Sequence, residues 1–382
     1  MGNRDAVIVE AVRLPVGRRK GVYSDTRAEY LLAAILKGVM DRTGIDAGLI
    51  DDIIVGCVTQ NEEQGNNIAR IASLMAGLPK DVPAMTINRK CGSSQHAVNQ
   101  AAQSIISGDC DVVIAAGVEH MTRHPMGSDK VPEPEELNEK YEVVTQGEAA
   151  ERIADKWGFS REELDDFAVR SHKLAAKASE NGAFHREILP IEVEKDGERI
   201  LVTEDEGIRP NSSVKKLAAL KTVFREEGKI TAGNASQISD GAAAVLIMSR
   251  EKAEALGLKP RAKIVARDVI GSDPTLMLTG PIPLTKRLLE KTGLCVSDID
   301  VFECNEAFAS VALAWMMEIQ PDIEKVNPRG GAIALGHPTG ASGARIMTTL
   351  LHELEDLDKR YGLQVMCCGG GMATGTVIER VN

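Results

Sequence analysis

Asp111–Ala116 reads DVVIAA, one charge followed by five apolar residues, and Gly117 comes next. A short unbroken apolar run of this kind predicts a strand buried on both faces, ended by the glycine. Just upstream, Ser93–Ser107 is rich in Ala and predicts a long helix. Ala6–Val12 and Ile53–Val58 repeat the buried-strand pattern, and Ala84–Ile87 is a shorter strand. Between them, Arg27–Asp41 sets Leu31, Leu32, Ile35 and Val39 on one helical face, and Asn67–Ala76 is helical too. Strands alternating with helices predict an α/β fold around a parallel sheet covered on both faces.

The same alternation returns from Arg261. Lys263–Val269 predicts a strand and Pro283–Thr292 a helix. Asp298–Phe302 (DIDVF) echoes Asp52–Gly56 (DIIVG), and Leu363–Cys367 (LQVMC) echoes DVVIAA, again ahead of glycines. The middle differs. Lys130–Tyr141 is dense in Glu and Pro and predicts a solvated loop. Gly147–Trp157 and Arg161–Asn181 predict amphipathic helices, the second opened by a Ser160/Glu163 capping box. Ile191–Val202 predicts a hairpin turning at Asp196-Gly197. The expected organisation is an N-terminal half over residues 1–119, a mainly helical inserted lobe over 120–245, and a C-terminal half over 246–382.

Composition narrows the function. The 382 residues are 43% hydrophobic, enough for a sizeable core, and only 3% aromatic. Few stacking platforms and a net charge of -11 argue against nucleic acid as a partner. Seven cysteines, an odd number without paired spacing, argue against a disulfide framework and for a reducing, cytoplasmic setting. Met1–Glu10 lacks the pattern of a secretory signal, and Gly2 lacks the Ser or Thr that myristoylation needs. No apolar stretch is long enough for a membrane span.

Four stretches carry chemistry. In Asn88–Ser94 (NRKCGSS), Cys91 stands where a strand runs into a helix. A helix N-terminus favours thiolate over thiol, so Cys91 is a candidate nucleophile; the plain alternative is a buried packing thiol. Gly330–Gly343 (GGAIALGHPTGASG) surrounds His337 with glycines and precedes a helix over Ala344–Leu354. Such a loop lets backbone approach a ligand, and an imidazole there suits proton transfer or an oxyanion contact. Cys367-Cys368 ends a strand ahead of Gly369–Gly371, at the strand end where α/β sheets place ligands. Vicinal cysteines face opposite sides of a strand, so Cys367 is read as functional and Cys368 as filler. Asn305–Ala309 (NEAFA) opens a helix over Ala307–Ile319, with Asn305 either an N-cap or a holder of water or substrate oxygen, and Glu306 at the helix's positive end.

Other residues read more plainly. His120 and His124 have the i, i+4 spacing of metal ligands but lie in a turn without a third ligand, so no metal is expected. Cys57, Cys110, Cys295 and Cys304 read as packing. Arg18-Arg19-Lys20 and Lys215-Lys216 read as solvated clusters able to meet a phosphate.

Together with TAGNASQISDGAAA at Thr231–Ala244, these motifs resemble the thiolase family over essentially the whole chain. The resemblance implies a five-layered αβαβα fold of two similar halves with an inserted loop lobe. It implies an acyltransferase in which Cys91 becomes acylated and Cys367 moves the α-proton of acetyl-CoA. His337 would activate Cys91, and Asn305 would fix a water beside His337 in one oxyanion hole. The N–H groups of Cys91 and Gly369 would form a second. Arg209, Lys216, Ser236 and Phe308 fall at positions near coenzyme A. The implied partners are coenzyme A thioesters and further copies of the chain, as a homodimer or homotetramer, and coenzyme A enters as substrate with no separate cofactor. The Gly117–Asp129 run looks more like degradative 3-ketoacyl-CoA thiolases than biosynthetic acetoacetyl-CoA ones. A decarboxylating ketosynthase lacks a thiol matching Cys367, and a non-catalytic acyl-CoA or lipid carrier has no need of all four polar groups.

Overall fold

The computed structural model describes residues 4–381. The reading of Gly2 lies outside them. The first half runs β1 (Ala6–Arg13), a two-residue β2 (Gly17–Arg18), α1 (Ala28–Thr43), β3 (Asp52–Gly56), α2 (Ile68–Met75), β4 (Ala84–Ile87), α3 (Ser93–Ser107) and β5 (Val112–His120). An excursion follows with α4 (Glu135–Lys140), α5 (Gln146–Lys156), α6 (Arg161–Glu180), the hairpin β6 (Ile191–Lys195) and β7 (Glu198–Val202), and α7 (Val214–Ala218). The chain rejoins the sheet at β8 (Ser239–Ser249) and continues through α8 (Arg250–Ala255), β9 (Ala262–Gly271), α9 (Pro281–Thr292), β10 (Val301–Cys304), α10 (Ala309–Ile319), α11 (Ala332–Leu335), α12 (Ser342–Asp356), β11 (Tyr361–Cys368) and β12 (Met372–Arg380).

The main sheet runs β10-β11-β12-β9-β1-β8-β5-β3-β4. It reads as two mirrored sets meeting at a seam where only Val7↔Lys263 and Ile8↔Ala262 pair. Within each set one strand pair or more is parallel (β3/β5 and β10/β11) and the inner pairs are antiparallel (β5/β8 and β11/β12). The sheet is therefore mixed, not parallel as expected. In each half the last strand returns without a helical crossover, β8 after the excursion and β12 through the turn at Gly369–Gly371, and so runs antiparallel to its neighbour. The spacing from Asp52 to Val301, opening β3 and β10, equals that from Ser93 to Ser342 and from Val112 to Tyr361. The halves are thus in register, but the DIDVF echo lay three residues early: Asp298 falls in the 3-10 turn Val296–Asp298, whose counterpart in the first half is Ala47–Leu49, before β3.

Side chains sort into layers. Leu31, Leu32, Ile35 and Leu36 of α1 pack on the first half's outer face. Ala97, Val98, Ala101 and Ile105 of α3 join Ala344, Met347 and Leu350 of α12 in one core touching strands of both halves. Leu284 and Leu288 of α9 and Trp315 of α10 cover the second half's outer face. The order α–β–α–β–α follows, with α3 and α12 innermost. The outer helices α1 and α9 bury one apolar stripe against a sheet, whereas α12 is buried all round from Ser342 to Leu354. Each large aliphatic side chain so buried is worth about 2 kcal/mol.

Three boundaries move. β5 does not stop at Gly117 but pairs with β8 as far as His120↔Asp240, so His120 lies in a strand and not in a turn. The last residues assigned to the lobe, from Ser239, belong to β8. The solvated loop at Lys130–Tyr141 holds the short exposed α4. The hairpin turns at Asp196 and Gly197, both in the left-handed region with φ 53 and φ 82, and the Ser160/Glu163 capping box is formed.

Gly117 continues the strand because its missing side chain is needed there. A Cβ at Gly117 would meet the carbonyl oxygen of Gly340 at 2.3 Å and Ser94 Cβ at 2.6 Å. The start of α3 and the loop before α12 therefore close on β5 at this point, which brings Cys91 and His337 into one region.

Candidate active site

Cys91 stands two residues before α3. Lys90 takes a left-handed φ of 50, turning the chain from β4 into the helix, and the Asn88 side chain accepts the Lys90 N–H at 2.9 Å. The thiol is buried. Burial pushes its pKa up to about 11, against hydrogen bonds from the Gly369 N–H and its own N–H that pull it down. The Glu119 charge adds to the rise and Lys90 opposes it. This corrects the expectation that the helix N-terminus would hold Cys91 as thiolate. Loss of solvent outweighs the dipole, so the resting group is a thiol and needs a base.

His337 lies in the loop between α11 and α12 and is buried. Its Nδ1 is 2.6 Å from Ser342 Oγ, and that hydroxyl donates to the Pro338 carbonyl at 2.9 Å. With its proton so engaged, Ser342 accepts from Nδ1–H, which leaves a lone pair on Nε2. Asn305 Nδ2 faces Nε2 at 3.5 Å. Burial first, and the nearby Arg345 charge second, lower the His337 pKa to about 3. The imidazole is neutral at physiological pH.

Asn305 is buried and its N–H donates to Val365 O at 3.0 Å. Its Oδ1 has no partner. It is not an N-cap: α10 starts at Ala309 with Phe308 at the cap position. Residues before it are held elsewhere, since the Ser236 N–H donates to Ala307 O and the Ala309 N–H to Asn234 O, both at 2.9 Å. Glu306 is likewise not at a helix end but buried among hydrogen-bond donors.

Cys367 is the penultimate residue of β11 and lies in one apolar cluster with Met277, Leu278, Phe308 and Ile333. Burial holds its pKa well above the usual thiol range, and the Cys91 charge raises it further, so the two sulfurs share one electrostatic neighbourhood. Cys368 lies on the opposite face, beside the Gly92 N–H and with its thiol toward the Met366 carbonyl at 3.9 Å. The Thr374 hydroxyl donates to Gln95 Oε1 at 2.6 Å, and the Cys91 charge raises the Cys368 pKa too. The lobe reaches this centre too: a Cβ at Gly369 would meet Gln146 Nε2 at 2.9 Å.

The remaining candidates divide. Phe308 is buried, with its ring edge-on to Phe224 at 6.0 Å, and Ser236 is half-buried beside it. Arg209 and Lys216 are exposed on the lobe, Lys216 on α7, whose Leu217 and Val214 pack into the cluster that holds Cys367. Lys216 Nζ donates to Asn211 O at 2.7 Å. His120 Nδ1 lies 3.3 Å from Asp240 and His124 Nε2 3.2 Å from Glu63, so each histidine has its own carboxylate. Two residues that hold the His337 loop escaped the sequence reading: Ser342 and Glu119. A lone carboxylate closing a wholly apolar strand was the signal for the second.

Comparison with known proteins agrees with this arrangement. Residues 6–251 match the model of the thiolase N-terminal domain, and residues 258–380 that of the thiolase C-terminal domain. The chain is 45% identical to the steroid 3-ketoacyl-CoA thiolase FadA6 of Mycobacterium tuberculosis, over 99% of this chain and 94% of that one. It is 47% identical to a 3-ketoacyl-CoA thiolase of Pseudoalteromonas translucida, over 98% of both. Among solved structures, the acetyl-CoA acetyltransferase of Bacillus anthracis superposes with a TM-score of 0.92 at 37% identity, covering 99% of each chain. An acyltransferase with this fold, these motifs and these relatives belongs to the thiolase family.

Proposed function

We propose that this chain cleaves 3-ketoacyl-CoA with free coenzyme A, giving acetyl-CoA and an acyl-CoA shortened by two carbons, and runs the reverse condensation. The observation that carries this reading is the Cys91 thiol set against the Gly369 N–H with Cys367 in electrostatic reach. His337 Nε2 takes the Cys91 proton, and the thiolate attacks the 3-keto carbon. The N–H groups of Cys91 and Gly369 stabilise the oxyanion, at ~3–4 kcal/mol per donor. The C2–C3 bond breaks, and Cys367 protonates the acetyl-CoA enolate. Its raised pKa suits a group that must hold that proton beforehand. Coenzyme A then gives its thiol proton to the Cys367 thiolate and attacks the acyl group. Cys91 leaves and recovers its proton from His337.

Protonated Nε2 also becomes a donor, so the imidazole joins an oxyanion hole only after it has acted as base. The free Oδ1 of Asn305 supports a water-holding role beside it. Thiols, an imidazole and backbone donors suffice for these steps, with coenzyme A as substrate. Arg209, exposed and without a carboxylate partner among the described residues, is our candidate for its phosphates, with Ser236 and Phe308 nearer the pantetheine and Lys216 behind Arg209.

The names of the relatives support the degradative direction and a place in fatty-acid or related β-oxidation. The acetyl-CoA acetyltransferase neighbour supports the biosynthetic alternative. Seven free cysteines support a reducing cytoplasm. The unpaired edge of β4, with Met85, Leu74 and Met75 exposed near it, supports a homo-oligomer. Rates of coenzyme A-dependent cleavage over a series of 3-ketoacyl-CoA lengths test the reading. Cleavage at longer lengths supports the degradative form, activity confined to acetoacetyl-CoA the biosynthetic one, and none at any length contradicts both.

A further inference from the structure

Two buried carboxylates stand outside those steps, and both hold the loop that carries His337. Glu119, at the end of β5, accepts from Val58 N–H at 2.9 Å, Thr59 N–H at 3.1 Å and Gln64 Nε2 at 2.9 Å. From the loop it accepts Thr339 Oγ1 and Gly340 N–H, each at 2.9 Å. Glu306 accepts from Ser171 Oγ at 2.6 Å, Asn327 Nδ2 at 2.8 Å and Ile333 N–H at 3.3 Å. Ser171 in turn accepts the Gly331 N–H at 3.0 Å. One carboxylate therefore grips the chain before His337 and the other the chain just after it.

The loop's glycines fit this arrangement. A Cβ at Gly331 would meet Glu306 Cδ at 2.2 Å, and one at Gly340 would meet Val118 O at 2.5 Å and Glu119 Oε2 at 2.8 Å. At Gly331 the glycine admits a carboxylate, and at Gly340 it admits the β5 backbone together with one, where the sequence reading expected the glycines to admit a ligand. Both side chains are wholly buried and neither is paired at ion-pair distance with a Lys or Arg among the described residues, although the Arg170 charge acts on Glu306 from farther off. Burying an acid without a direct ion pair is costly unless donors surround it, and apolar residues would fill the space at less cost. Hydrogen-bonded acids kept at both ends of a catalytic loop point to a need for its exact placement.

We propose that Glu119 and Glu306 are positioning residues that clamp the two ends of the His337 loop, keeping Nε2 aimed at the Cys91 thiol. The inference rests on His337 being the base for Cys91. Its test is the pH dependence of Cys91 alkylation by iodoacetamide, read from the Cys91 peptide by mass spectrometry. Wild type, Glu119→Gln, Glu306→Gln and His337→Gln are compared, with thiolysis kcat and KM measured alongside. The charged and titratable groups acting on the thiol are Lys90, Glu119, Cys367 and Cys368, to which the proposed function adds His337. Removing the Glu119 charge alone lowers the alkylation midpoint, because that charge raises the thiol's pKa. Loss of the imidazole's aim raises it.

The proposal expects both Gln variants to move the midpoint upward, toward His337→Gln, with kcat down roughly 10- to 100-fold and KM little changed. Thr339→Val and Ser171→Ala each remove one grip without touching a carboxylate. They shift the midpoint the same way, with kcat down on the order of tenfold or less, and serve should a Gln variant not fold. A midpoint that rises in His337→Gln but stays or falls in the other variants overturns the clamp and leaves the base assignment standing. A midpoint unmoved in His337→Gln overturns the base assignment, and the clamp with it.

Discussion

Nδ1 of His337 and Oγ of Ser342 lie 2.6 Å apart, five residues apart in sequence across the entrance of α12. The hydroxyl donates its own hydrogen bond to the Pro338 carbonyl, so this contact selects the imidazole tautomer with a lone pair on Nε2. Replacing Ser342 with Ala removes the acceptor. Thiolysis kcat should fall about 10- to 100-fold with KM nearly constant, as for other residues that orient a functional histidine. Nitrogen chemical shifts of the His337 ring check the cause: a mixture of tautomers is expected in the variant, and a single unchanged tautomer contradicts it.

Protonation of that ring is the next test. Burial and Arg345 penalise the charged form, lowering its pKa from near 6.5 to about 3. The sign follows: as pH falls from 7 to 6, an ordinary histidine becomes about three-quarters protonated, whereas His337 stays neutral. Ring NMR signals at pH 6 should report neutral imidazole. A titration centred near 6.5 would contradict the burial argument.

Cys367→Ala separates the two thiols. Acylation of Cys91 by acetyl-CoA should persist, because the nucleophile and its base remain. Exchange of acetyl α-protons with deuterated solvent should drop by at least about a hundredfold, the usual contribution of an acid–base group. Exchange at the wild-type rate would remove Cys367 from that role.

Gly117→Ala probes the packing that joins the halves. Its Cβ would meet Gly340 O at 2.3 Å, in a core with no open space on that side. Overpacking of this kind costs about 1–3 kcal/mol. Thermal unfolding should begin at lower temperature, and activity should fall with it because Gly340 belongs to the His337 loop. Unchanged unfolding and activity would show that β5 can shift without cost.

The repeat of the fold was readable because buried strands and Ala-rich helices announce themselves locally. DVVIAA and Ser93–Ser107 needed no partner to be recognised, and α3 has the bounds its composition predicts. What escaped depends on contacts between distant segments. Gly117 looked like a strand end because its reason, the Gly340 carbonyl, lies in another part of the chain. Asn305 looked like an N-cap because Ser236 and Asn234, which hold Ala307 and Ala309, are equally remote. Cys91 looked like a thiolate because a helix N-terminus is local and visible, while the burial that opposes it is not. Glu119 was passed over because one acid after an apolar run is a weak signal until its five donors, from Val58, Thr59, Gln64, Thr339 and Gly340, are brought together.

The chemistry proposed depends on a sulfur that takes up an acyl group and gives it back. Incubation with a 3-ketoacyl-CoA, without free coenzyme A, should leave one acyl adduct on the peptide that contains Cys91. Adding coenzyme A should clear it, and Cys91→Ser should never form it. An adduct confined to another residue, or none under turnover conditions, would contradict the account.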